Sequence, residues 1–405
     1  MDVVVVGGGA AGFFAALSAH AHHPQAGITL LEKTADTLAK VRVSGGGRCN
    51  VTHACPHPRR FASHYPRGQA FLRKSFERFG QPETVRWFRE RGVELKTEAD
   101  GRMFPVTDDS GTIVGLLREH AALAQVRVLL RSAVVGVEKR GAGFTVRSSN
   151  DGVHHADKLI VTTGGLAKPE AYNWITALGH SIVPPVPSLF TFNMPGEPIR
   201  ELMGVSVEVA QVRIIGTDLE STGPLLVTHW GMSGPAILRL SAWGARVVHD
   251  MGYRFAIRVN WLGGASEHDV RKGMQERALE LARKRSGNVS MPGIPRRLWS
   301  HLLEKAGIDP ARPWGELPRK ERDRLIDTLT NDRYTVQGKT TFKEEFVTAG
   351  GVPLDEVDPL TMESRMAPGL FFAGEVLDVD GITGGFNFQA AWTTGYLAGR
   401  LGAAQ

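Results

Sequence analysis

Residues 2–33 read DVVVVGGGAAGFFAALSAHAHHPQAGITLLEK, and this stretch decides the fold of the first part of the chain. A β-branched run at 2–7 ends in glycine, and residues 10–21 carry large apolar side chains at helical spacing. The pattern predicts a strand, a tight turn and a helix. The run ITLLEK at 28–33 predicts a second strand after the helix ends near Pro24. The stretch is therefore predicted to form a βαβ unit.

The turn of this unit matches the pattern G-x-G-x-x-G, which is typical of dinucleotide binding. Gly7 permits a sharp turn, Gly9 lets the backbone approach a pyrophosphate, and Gly12 allows the helix to pack closely on the strand. The amides at the helix start would face the phosphate charge. Glu32 closes the second strand, where it would accept a hydrogen bond from a ribose hydroxyl. The predicted cofactor-binding residues of this unit are Gly7, Gly9, Ala10, Ala11, Gly12, Glu32 and Lys33.

A second glycine-rich turn lies at the other end of the chain, in FFAGEVLDVDGITGGFNFQAAWTTG at 371–395. It predicts a short strand, a turn and a helix over 386–401. Two such turns at opposite ends of one chain resemble the glutathione-reductase-like FAD architecture, and the strand-like runs between 126 and 165 resemble its β-meander and return strand. The resemblance implies that Glu375 contacts the ribityl chain and that the last helix points its N-terminus at the flavin. The residues that it implies around FAD here are Val134, Thr163, Gly164, Gly374, Glu375, Gly384, Gly385, Phe386 and Asn387. For Val134 the alternative is a plain position in a strand core.

Five sequence blocks make the resemblance more specific. They are SGGGRCN at 44–50, GRMFP at 101–105, THWGMSGP at 228–235, FVTAGGV at 346–352 and AGEVLDVDGITGGFNFQ at 373–389. Together they resemble the signature blocks of the BaiN/YhiN-like flavoproteins, a group also labelled NAD(P)/FAD-dependent or aminoacetone oxidase family. The blocks occur in the family's order along nearly the whole chain.

The resemblance implies an α/β fold: a glutathione-reductase-like FAD-binding Rossmann fold with an inserted β-barrel-like domain and a helical subdomain. Short strand-like runs with turn glycines predict the β-rich part, and runs such as HDVRKGMQERALELARKR at 268–285 predict the helical part. The expected boundaries are 1–187 for the first part of the FAD-binding domain, 188–262 for the β-rich domain, 263–342 for the basic helical subdomain and 343–405 for the second part of the FAD-binding domain.

The loop after the second strand is a further candidate for cofactor binding. Backbone amides of a glycine-rich loop and a guanidinium can together hold a pyrophosphate or the edge of a flavin, and the matching loop in the family does so. The candidate residues are Arg42, Ser44, Gly45, Gly46, Gly47 and Arg48. Cys49 follows directly and has two interpretations, a small buried packing residue or a proton donor beside the flavin.

Three polar side chains outside that loop are candidates for a role near the flavin or substrate. His229 lies in the THWGMSGP block and is either structural or a substrate-contacting residue. Asn387 and Gln389 follow the glycine turn, where they could hydrogen-bond the flavin ring or a substrate carbonyl, while Asp378 and Asp380 are expected to fix that turn. The candidate catalytic residues are thus Cys49, His229 and Asn387.

Composition narrows the class of protein. The chain has 405 residues, of which 42% are hydrophobic and 22% charged, which is typical of a globular protein with two or three domains. Glycines interrupt the apolar run near the start, and no segment offers about twenty uninterrupted apolar residues, so we expect a cytoplasmic protein without a membrane partner. Two cysteines without a metal-binding motif predict neither a disulfide framework nor a metal site.

The net charge of +6 is concentrated in one stretch. Residues 271–333 contain fifteen Lys and Arg against nine Asp and Glu, and 15 − 9 = +6. A solvated helical surface is one interpretation. The other is a binding surface for a polyanion such as RNA.

Three functions remain open at this point. The first is a flavin-dependent reductase of a C=C bond conjugated to a carbonyl, with NAD(P)H as a transient reductant. The family resemblance implies two substrates for it, a uridine of large-subunit rRNA or a small enone, and the basic stretch favours the RNA. The second is an oxidase of amines or other small molecules, and the third is a non-catalytic FAD-binding assembly factor.

Overall fold

The structure is a computed structural model that describes residues 1–340 and 347–402. The predicted boundary at 342/343 and the first residue of the FVTAGGV block lie outside the described residues. The chain divides into two compact units. The first comprises Met1–Ser188 with Phe342–Gln405, and the second comprises Leu189–Thr341.

The regular elements are numbered along the whole chain. The strands are β1 Asp2–Val6, β2 Gly27–Leu31, β3 Thr52–His53, β4 Leu95–Thr97, β5 Arg102–Pro105, β6 Arg127–Leu129, β7 Val134–Arg140, β8 Gly143–Ser148, β9 Val153–Ala156, β10 Lys158–Val161, β11 Val183–Ser188, β12 Thr191–Asn193, β13 Ser206–Ile214, β14 Glu220–Val227, β15 Gly231–Ser233, β16 Arg254–Asn260, β17 Asp332–Gln337, β18 Lys339–Thr340, β19 Val347–Gly351 and β20 Leu370–Phe372. The α-helices are α1 Ala10–His22, α2 Ala39–Gly47, α3 Pro58–Ala62, α4 Gln69–Phe76, α5 Gln81–Arg89, α6 Ser110–Leu123, α7 Asn173–Thr176, α8 Pro235–Trp243, α9 Ala245–Asp250, α10 Glu267–Glu280, α11 Arg296–Lys305, α12 Arg319–Thr330 and α13 Phe386–Gly399.

A five-stranded parallel sheet forms the centre of the first unit, in the order β20-β10-β1-β2-β6. Val3, Val4, Val5 and Val6 are all buried, as expected for a central parallel strand covered on both faces. The βαβ unit predicted from residues 2–33 is thereby confirmed. Its first strand ends at Val6 because Gly7 turns the backbone with a φ of +112°.

Helices α1 and α13 pack against each other backbone to backbone. A Cβ atom built on Gly395 would lie 2.5 Å from the carbonyl oxygen of Ala11, and one built on Gly399 would overlap the carbonyl oxygen of Ala15. Only glycine leaves room for this approach. The beginning and the end of the chain are therefore joined in one core.

The remaining sheets of the first unit are small. Strands β7, β8 and β9 form the antiparallel meander that the family resemblance implies. Strand β5 lies between β3 and β4 in a second three-stranded sheet, and β11 pairs with β19. Each of these sheets lies in a connection between strands of the central sheet.

The second unit contains a seven-stranded antiparallel sheet in the order β17-β16-β13-β14-β15-β12-β18. One hydrophobic cluster joins this sheet to the helical segment, because Val212 and Ile257 of the sheet belong to the same buried cluster as Leu298 and Leu325 of the helices. The expected β-rich and helical parts therefore share a core and form one compact unit.

Helix α10 is shorter than the run at 268–285 predicts. It ends at Glu280, and the following residues turn toward the loop at 310–314, where the amide of Trp314 donates to the carbonyl of Lys284 at 3.0 Å. The basic residues 283–285 therefore lie in a turn instead of on a helix face. Within the described ranges, no helix has both the length and the apolar character needed to cross a membrane.

Candidate functional site

The candidate site lies at one edge of the central parallel sheet. Gly7 follows β1, Glu32 follows β2, Thr162 follows β10, and Gly374 comes two residues after β20. The carboxyl ends of parallel strands meet at the same edge of a sheet, which is where open α/β sheets bind ligands. The fold thus gathers residues that are up to 367 positions apart in sequence, from Gly7 to Gly374.

The three glycines of the first turn differ in what surrounds them. A Cβ atom built on Gly7 would overlap the carbonyl oxygen of Thr162, and one built on Gly12 would overlap the carbonyl oxygen of Gly7. A Cβ atom built on Gly9 would meet no heavy atom within 4 Å. Gly7 and Gly12 are thus required by the packing of the chain itself. Gly9 faces open space, as a turn that admits a pyrophosphate requires.

The N-terminus of α1 faces this space with backbone amides that carry partial positive charge. Gly9 is the N-cap of α1, no described side chain caps the helix, and its first turn contains no acidic residue. The first amides of a helix, here those of Ala10, Ala11 and Gly12, have no acceptor within the helix. They therefore suit an anion such as a pyrophosphate.

Glu32 is buried and holds the turn. Its Oε2 atom accepts a hydrogen bond from the amide of Gly8 at 2.8 Å, and its Oε1 atom accepts from both the amide and the hydroxyl of Thr34 at 2.8 Å. The carboxylate lies beside the glycine turn, as its spacing predicts. Its hydrogen bond to a ribose stays a prediction, and so does a role for the exposed Lys33.

The glycine-rich loop at 44–48 exposes mainly backbone atoms to its surroundings. Gly45, Gly46 and Gly47 have φ values of +58°, +69° and +85° and interrupt the end of α2. Nothing lies within 4 Å of a Cβ atom built on Gly46 or Gly47, whereas Gly45 packs against Phe104. The exposed amides of this loop can thus approach a ligand, while the hydroxyl of Ser44 donates to the carbonyl of Val41 at 2.9 Å.

The two arginines predicted for this loop have partners within the protein. The Arg48 guanidinium donates to Glu98 at 2.6 Å and lies 4.0 Å from the centre of the Phe104 ring. Arg42 lies 3.6 Å from Asp36. Phosphate binding stays a prediction for Arg42, whose neighbour Asp36 also pairs with Arg118, and for Arg48, whose charge Glu98 compensates. The sequence does not reveal this pairing because Glu98 is fifty residues from Arg48.

Cys49 is fully buried and adopts a left-handed backbone conformation with a φ of +60°. Burial raises the pKa of its thiol to about 12, against a smaller opposing effect of its hydrogen bond with Ser44. These surroundings favour the packing interpretation of Cys49 over the proton-donor interpretation.

The predicted catalytic residue Asn387 closes a turn with its side chain. Its Oδ1 atom accepts from the amide of Gly381 at 2.8 Å, and its Nδ2 atom donates to the carbonyl of the same residue at 2.9 Å. Each amide atom thus has one partner within the chain, while the half-buried group keeps a second N–H and a second lone pair. Its contact with flavin or substrate stays a prediction. The turn leads into α13, whose N-cap is Gly385 with a φ of +93°.

Gln389 is likewise part of the core. It is fully buried, accepts from Thr52 at 2.6 Å, and donates to Thr84 at 2.7 Å and Thr393 at 3.0 Å. A ligand cannot reach this side chain, so its predicted contact with the flavin is wrong. Asp380 is also buried and pairs with Arg67 and the hydroxyl of Ser188, which agrees with the expected role in fixing the turn.

Residues around β20 and β10 complete the edge. Glu375 accepts from Lys40 at 2.9 Å and from the amide of Thr348 at 2.8 Å. A Cβ atom built on Gly7 would come within 3.1 Å of the Cα atom of Thr163, so this predicted residue lies beside the turn. Gly164 has a φ of +72° and faces open space. Val134, half-buried at the start of β7, keeps both of its interpretations.

Phe386, one of the residues that the resemblance implies around FAD, is buried at the start of α13, and two histidines that were not predicted contact its ring. Its contact with FAD stays a prediction. The Phe386 ring stacks on those of His53 and His64, with centroid distances of 4.7 Å and 4.4 Å, and the two histidine rings are themselves 6.2 Å apart. Nδ1 of His53 lies 3.1 Å from the carbonyl oxygen of Gly384 in the adjacent turn. His53 follows the SGGGRCN block by three positions, which is the one sequence signal for its location.

His229 lies in the second unit, in the turn between β14 and β15. Its side chain is exposed, its ring centroid is 4.5 Å from that of Trp230, and its carbonyl accepts from Arg200 at 2.8 Å. A substrate role for His229 stays a prediction. Within residues 1–340 and 347–402, no group of three or more His, Cys, Asp or Glu residues could hold a metal ion.

Three proteins of known name are similar to this chain over nearly its whole length. The chain is 31% identical to a 3-dehydro-bile acid delta(4,6)-reductase of Clostridium scindens, and the alignment covers 98% of each chain. It is also 31% identical to a ribosomal RNA dihydrouridine synthase of Escherichia coli, with 98% of this chain and 96% of the other covered. A similarly named protein of Haemophilus influenzae is 28% identical, with 97% and 96% covered.

Solved structures agree on the fold. A 3-ketosteroid delta1-dehydrogenase of Sterolibacterium denitrificans matches with a TM-score of 0.53 and 12% identity over 98% of each chain. A 3-ketosteroid-delta4-(5alpha)-dehydrogenase of Rhodococcus jostii matches with a TM-score of 0.51 and 17% identity, covering 100% of this chain and 97% of the other.

Residues 1–401 match the family described as HI0933-like protein Rossmann domain. The open space at Gly9 and the uncapped start of α1 fit the pyrophosphate of FAD. The chain therefore belongs to the HI0933-like Rossmann family, and it is an FAD-dependent oxidoreductase.

Proposed function

We propose that this protein reduces a C=C bond conjugated to a carbonyl, that NAD(P)H supplies the electrons, and that the substrate is a uridine of large-subunit rRNA. The names of two relatives specify dihydrouridine synthesis in ribosomal RNA, and that of a third specifies reduction of a bile acid. The two reactions share one chemistry. The C5=C6 bond of uracil is conjugated to the C4 carbonyl, as the double bond of a steroid enone is conjugated to its ketone.

The observation that carries the RNA version is a set of exposed cations without acidic partners. Arg283, Lys284 and Arg285 are exposed, and no acid of the described residues forms an ion pair with them. The backbone of this turn is held in place, since Lys284 and Arg285 both pair with the loop at 310–314. A bile acid offers one carboxylate to three positive charges, whereas RNA offers a phosphate at every nucleotide.

Other cations of the stretch at 271–333 pair with acidic residues, unlike those at 283–285. Arg271 pairs with Asp323, Arg312 pairs with Glu321, and Lys305 pairs with Asp332. These ion pairs stabilise the helical segment and have little charge left for a partner. The uncompensated charge of the stretch thus includes the turn at 283–285, and we infer that this turn contributes to RNA binding.

The first unit supplies the other requirements of the reaction. FAD, when bound, accepts and donates a hydride equivalent. The turn at 7–12 and the loop at 44–47 would hold its phosphates. The N-terminal end of α13 carries partial positive charge, which would stabilise negative charge placed against it. One dinucleotide fingerprint is present in the sequence, so NAD(P)H would bind transiently and leave the site.

Anaerobic turnover tests the proposal. The FAD-loaded protein would be incubated with NADPH and large-subunit rRNA from cells that lack the gene, and dihydrouridine would be measured by mass spectrometry of the nucleosides. We expect dihydrouridine to form without oxygen. Reduction of a steroid enone without any dihydrouridine would instead support the small-molecule alternative, and a requirement for oxygen would support an oxidase. A bound flavin that neither NADH nor NADPH reduces would indicate an assembly factor.

A charge-reversal variant tests the turn. Changing Arg283, Lys284 and Arg285 to glutamate should weaken rRNA binding and reduce its salt dependence while the FAD content stays the same. The matched control reverses three exposed cations of the first unit, namely Arg127, Lys139 and Arg140. Equal rRNA affinity in the two variants would contradict the role of the turn.

A further inference from the structure

Three arginines stand side by side on adjacent strands of the second unit. In the register of the sheet, Arg213 of β13 is directly opposite Arg258 of β16, and Arg258 is directly opposite Arg333 of β17. Side chains at such positions have Cβ atoms about 5 Å apart, and like charges placed there destabilise a sheet. We call Arg213, Arg258 and Arg333 the arginine row.

The arginine row lies on the face of the sheet that is turned away from the core. Its neighbours along the strands, such as Val212 and Ile257, are fully buried in the hydrophobic cluster. Successive side chains of a strand point to opposite faces, so the arginines point outward. Together with the turn at 215–218 they line a surface cavity of about 400 Å³.

Acidic groups compensate one end of the row. The Arg213 guanidinium donates to the carbonyl of Thr217 at 3.2 Å and lies 3.5 Å from the exposed Asp218, and Glu220 is opposite Arg213 on β14. Arg258 and Arg333 form no ion pair with any acid of the described residues. Two adjacent positive charges thus repel each other without compensation inside the second unit.

A repulsive contact of this kind is expected where a ligand supplies the missing charge, because binding sites commonly lower the stability of the chain that carries them. We propose that the arginine row binds the phosphodiester backbone of RNA, which deepens the proposed function and rests on it. Guanidinium groups form paired hydrogen bonds with phosphate oxygens. Strands are about 4.8 Å apart, so the row is about 10 Å long, which suits a run of phosphates better than a single one.

The experiment compares rRNA binding by the FAD-loaded wild type with that by a variant carrying Arg258→Gln and Arg333→Gln. Each lost phosphate contact lowers the slope of log affinity against log salt by about 0.7 to 0.9. Two lost contacts should therefore weaken binding at 0.1 M salt by about 25-fold to about 60-fold. A variant with Arg258→Lys keeps the charge and should keep most of the salt slope.

Two controls separate loss of a binding site from loss of structure or of general charge. Replacing Arg127 and Arg140 with glutamine removes the same charge from the first unit and should leave rRNA affinity within about twofold of the wild type. In the Arg258→Gln, Arg333→Gln variant the FAD content should be unchanged. Its thermal midpoint should equal or exceed that of the wild type, because the repulsion between neighbouring arginines is gone.

The outcomes distinguish the arginine row from the proposed reaction. Unchanged rRNA affinity and salt slope in the double variant would overturn the inference, even if the wild type makes dihydrouridine. Arginine-dependent rRNA binding without dihydrouridine would support the inference while refuting uridine reduction. Arginine-dependent binding to vesicles of anionic phospholipid, with no binding to rRNA, would overturn RNA as the occupant.

Discussion

Replacing Gly9 with valine should weaken FAD binding while the protein stays folded. The backbone at Gly9 is extended, with φ −90° and ψ −167°, a conformation open to any residue. A Cβ atom there meets no heavy atom within 4 Å, so the first carbon of the new side chain has room within the chain. Valine is a weaker N-cap than glycine, and we expect the free energy of unfolding to fall by about 1 kcal/mol or less.

The cofactor, in contrast, would meet the new side chain where its pyrophosphate approaches the backbone. Crowding of this kind costs about 1–3 kcal/mol, which corresponds to an affinity that is between about 5-fold and about 150-fold lower. The measurement is a fluorescence titration of the flavin-free protein with FAD. Thermal unfolding of the same flavin-free sample would report the stability of the chain.

Gly12→Ala is the matched control, because it should destabilise the flavin-free chain, which Gly9→Val should largely spare. Its Cβ atom would overlap the carbonyl oxygen of Gly7, so α1 must move away from β1 even when no cofactor is present. We expect a loss of about 3 kcal/mol in the flavin-free protein, or roughly 6–12 °C in thermal midpoint. Wild-type FAD affinity in Gly9→Val, or equal destabilisation by the two changes, would refute the assignment of this turn.

Three further predictions concern buried polar groups. Glu32→Ala should lower both FAD content and the thermal midpoint, since the amides of Gly8 and Thr34 lose their acceptor at a cost of about 1–3 kcal/mol, and Glu32→Gln, measured in parallel, should lose less. Burial lowers the pKa of His180, which outweighs its hydrogen bond to Glu356, so the unfolded chain binds a proton that the folded chain rejects. The contribution of His180 to stability is therefore complete above about pH 6.5 and decreases by up to about 1.4 kcal/mol per unit as the pH falls below that value. Urea unfolding at several pH values should show a weaker acid dependence in His180→Gln than in the wild type, and identical slopes would argue against this assignment. Cys49 should resist iodoacetamide in the native protein and react after unfolding, because burial raises the pKa of its thiol to about 12. Cys49→Ala should retain turnover, and an inactive but folded variant would restore the proton-donor interpretation.

Features that depend on one short, continuous segment could be predicted from the sequence. The glycines of the first turn and Glu32 lie within one continuous stretch, and their spacing alone requires a particular backbone shape. The Rossmann fold and a dinucleotide cofactor follow from that shape, whereas the choice of FAD rests on the resemblance carried by the two turns together. The family resemblance added the second turn, because its glycines recur in a fixed block.

Side-chain pairing over long distances was not predictable. Gln389 looked like a flavin contact because it follows the glycine turn, yet its partner Thr84 is 305 residues away. Asn387 binds a residue only six positions away, but the bond exists because the turn folds back on itself, which the spacing does not show. The arginine row likewise depends on strand register, which places Arg213, Arg258 and Arg333 together although 120 residues separate the first from the last.

The glycine contact between α1 and α13 has a consequence for synthesis of the protein. Helix α1 is made first, but α13, which covers it, follows the whole second unit in sequence. The apolar side of α1 therefore stays uncovered by α13 until the second unit has been synthesised. The second unit is encoded entirely before that point and has its own core, so it can fold while the first unit still waits. A ribosome that has not yet made α13 would hold a chain with a complete second unit and an open cofactor domain, the form most in need of a chaperone.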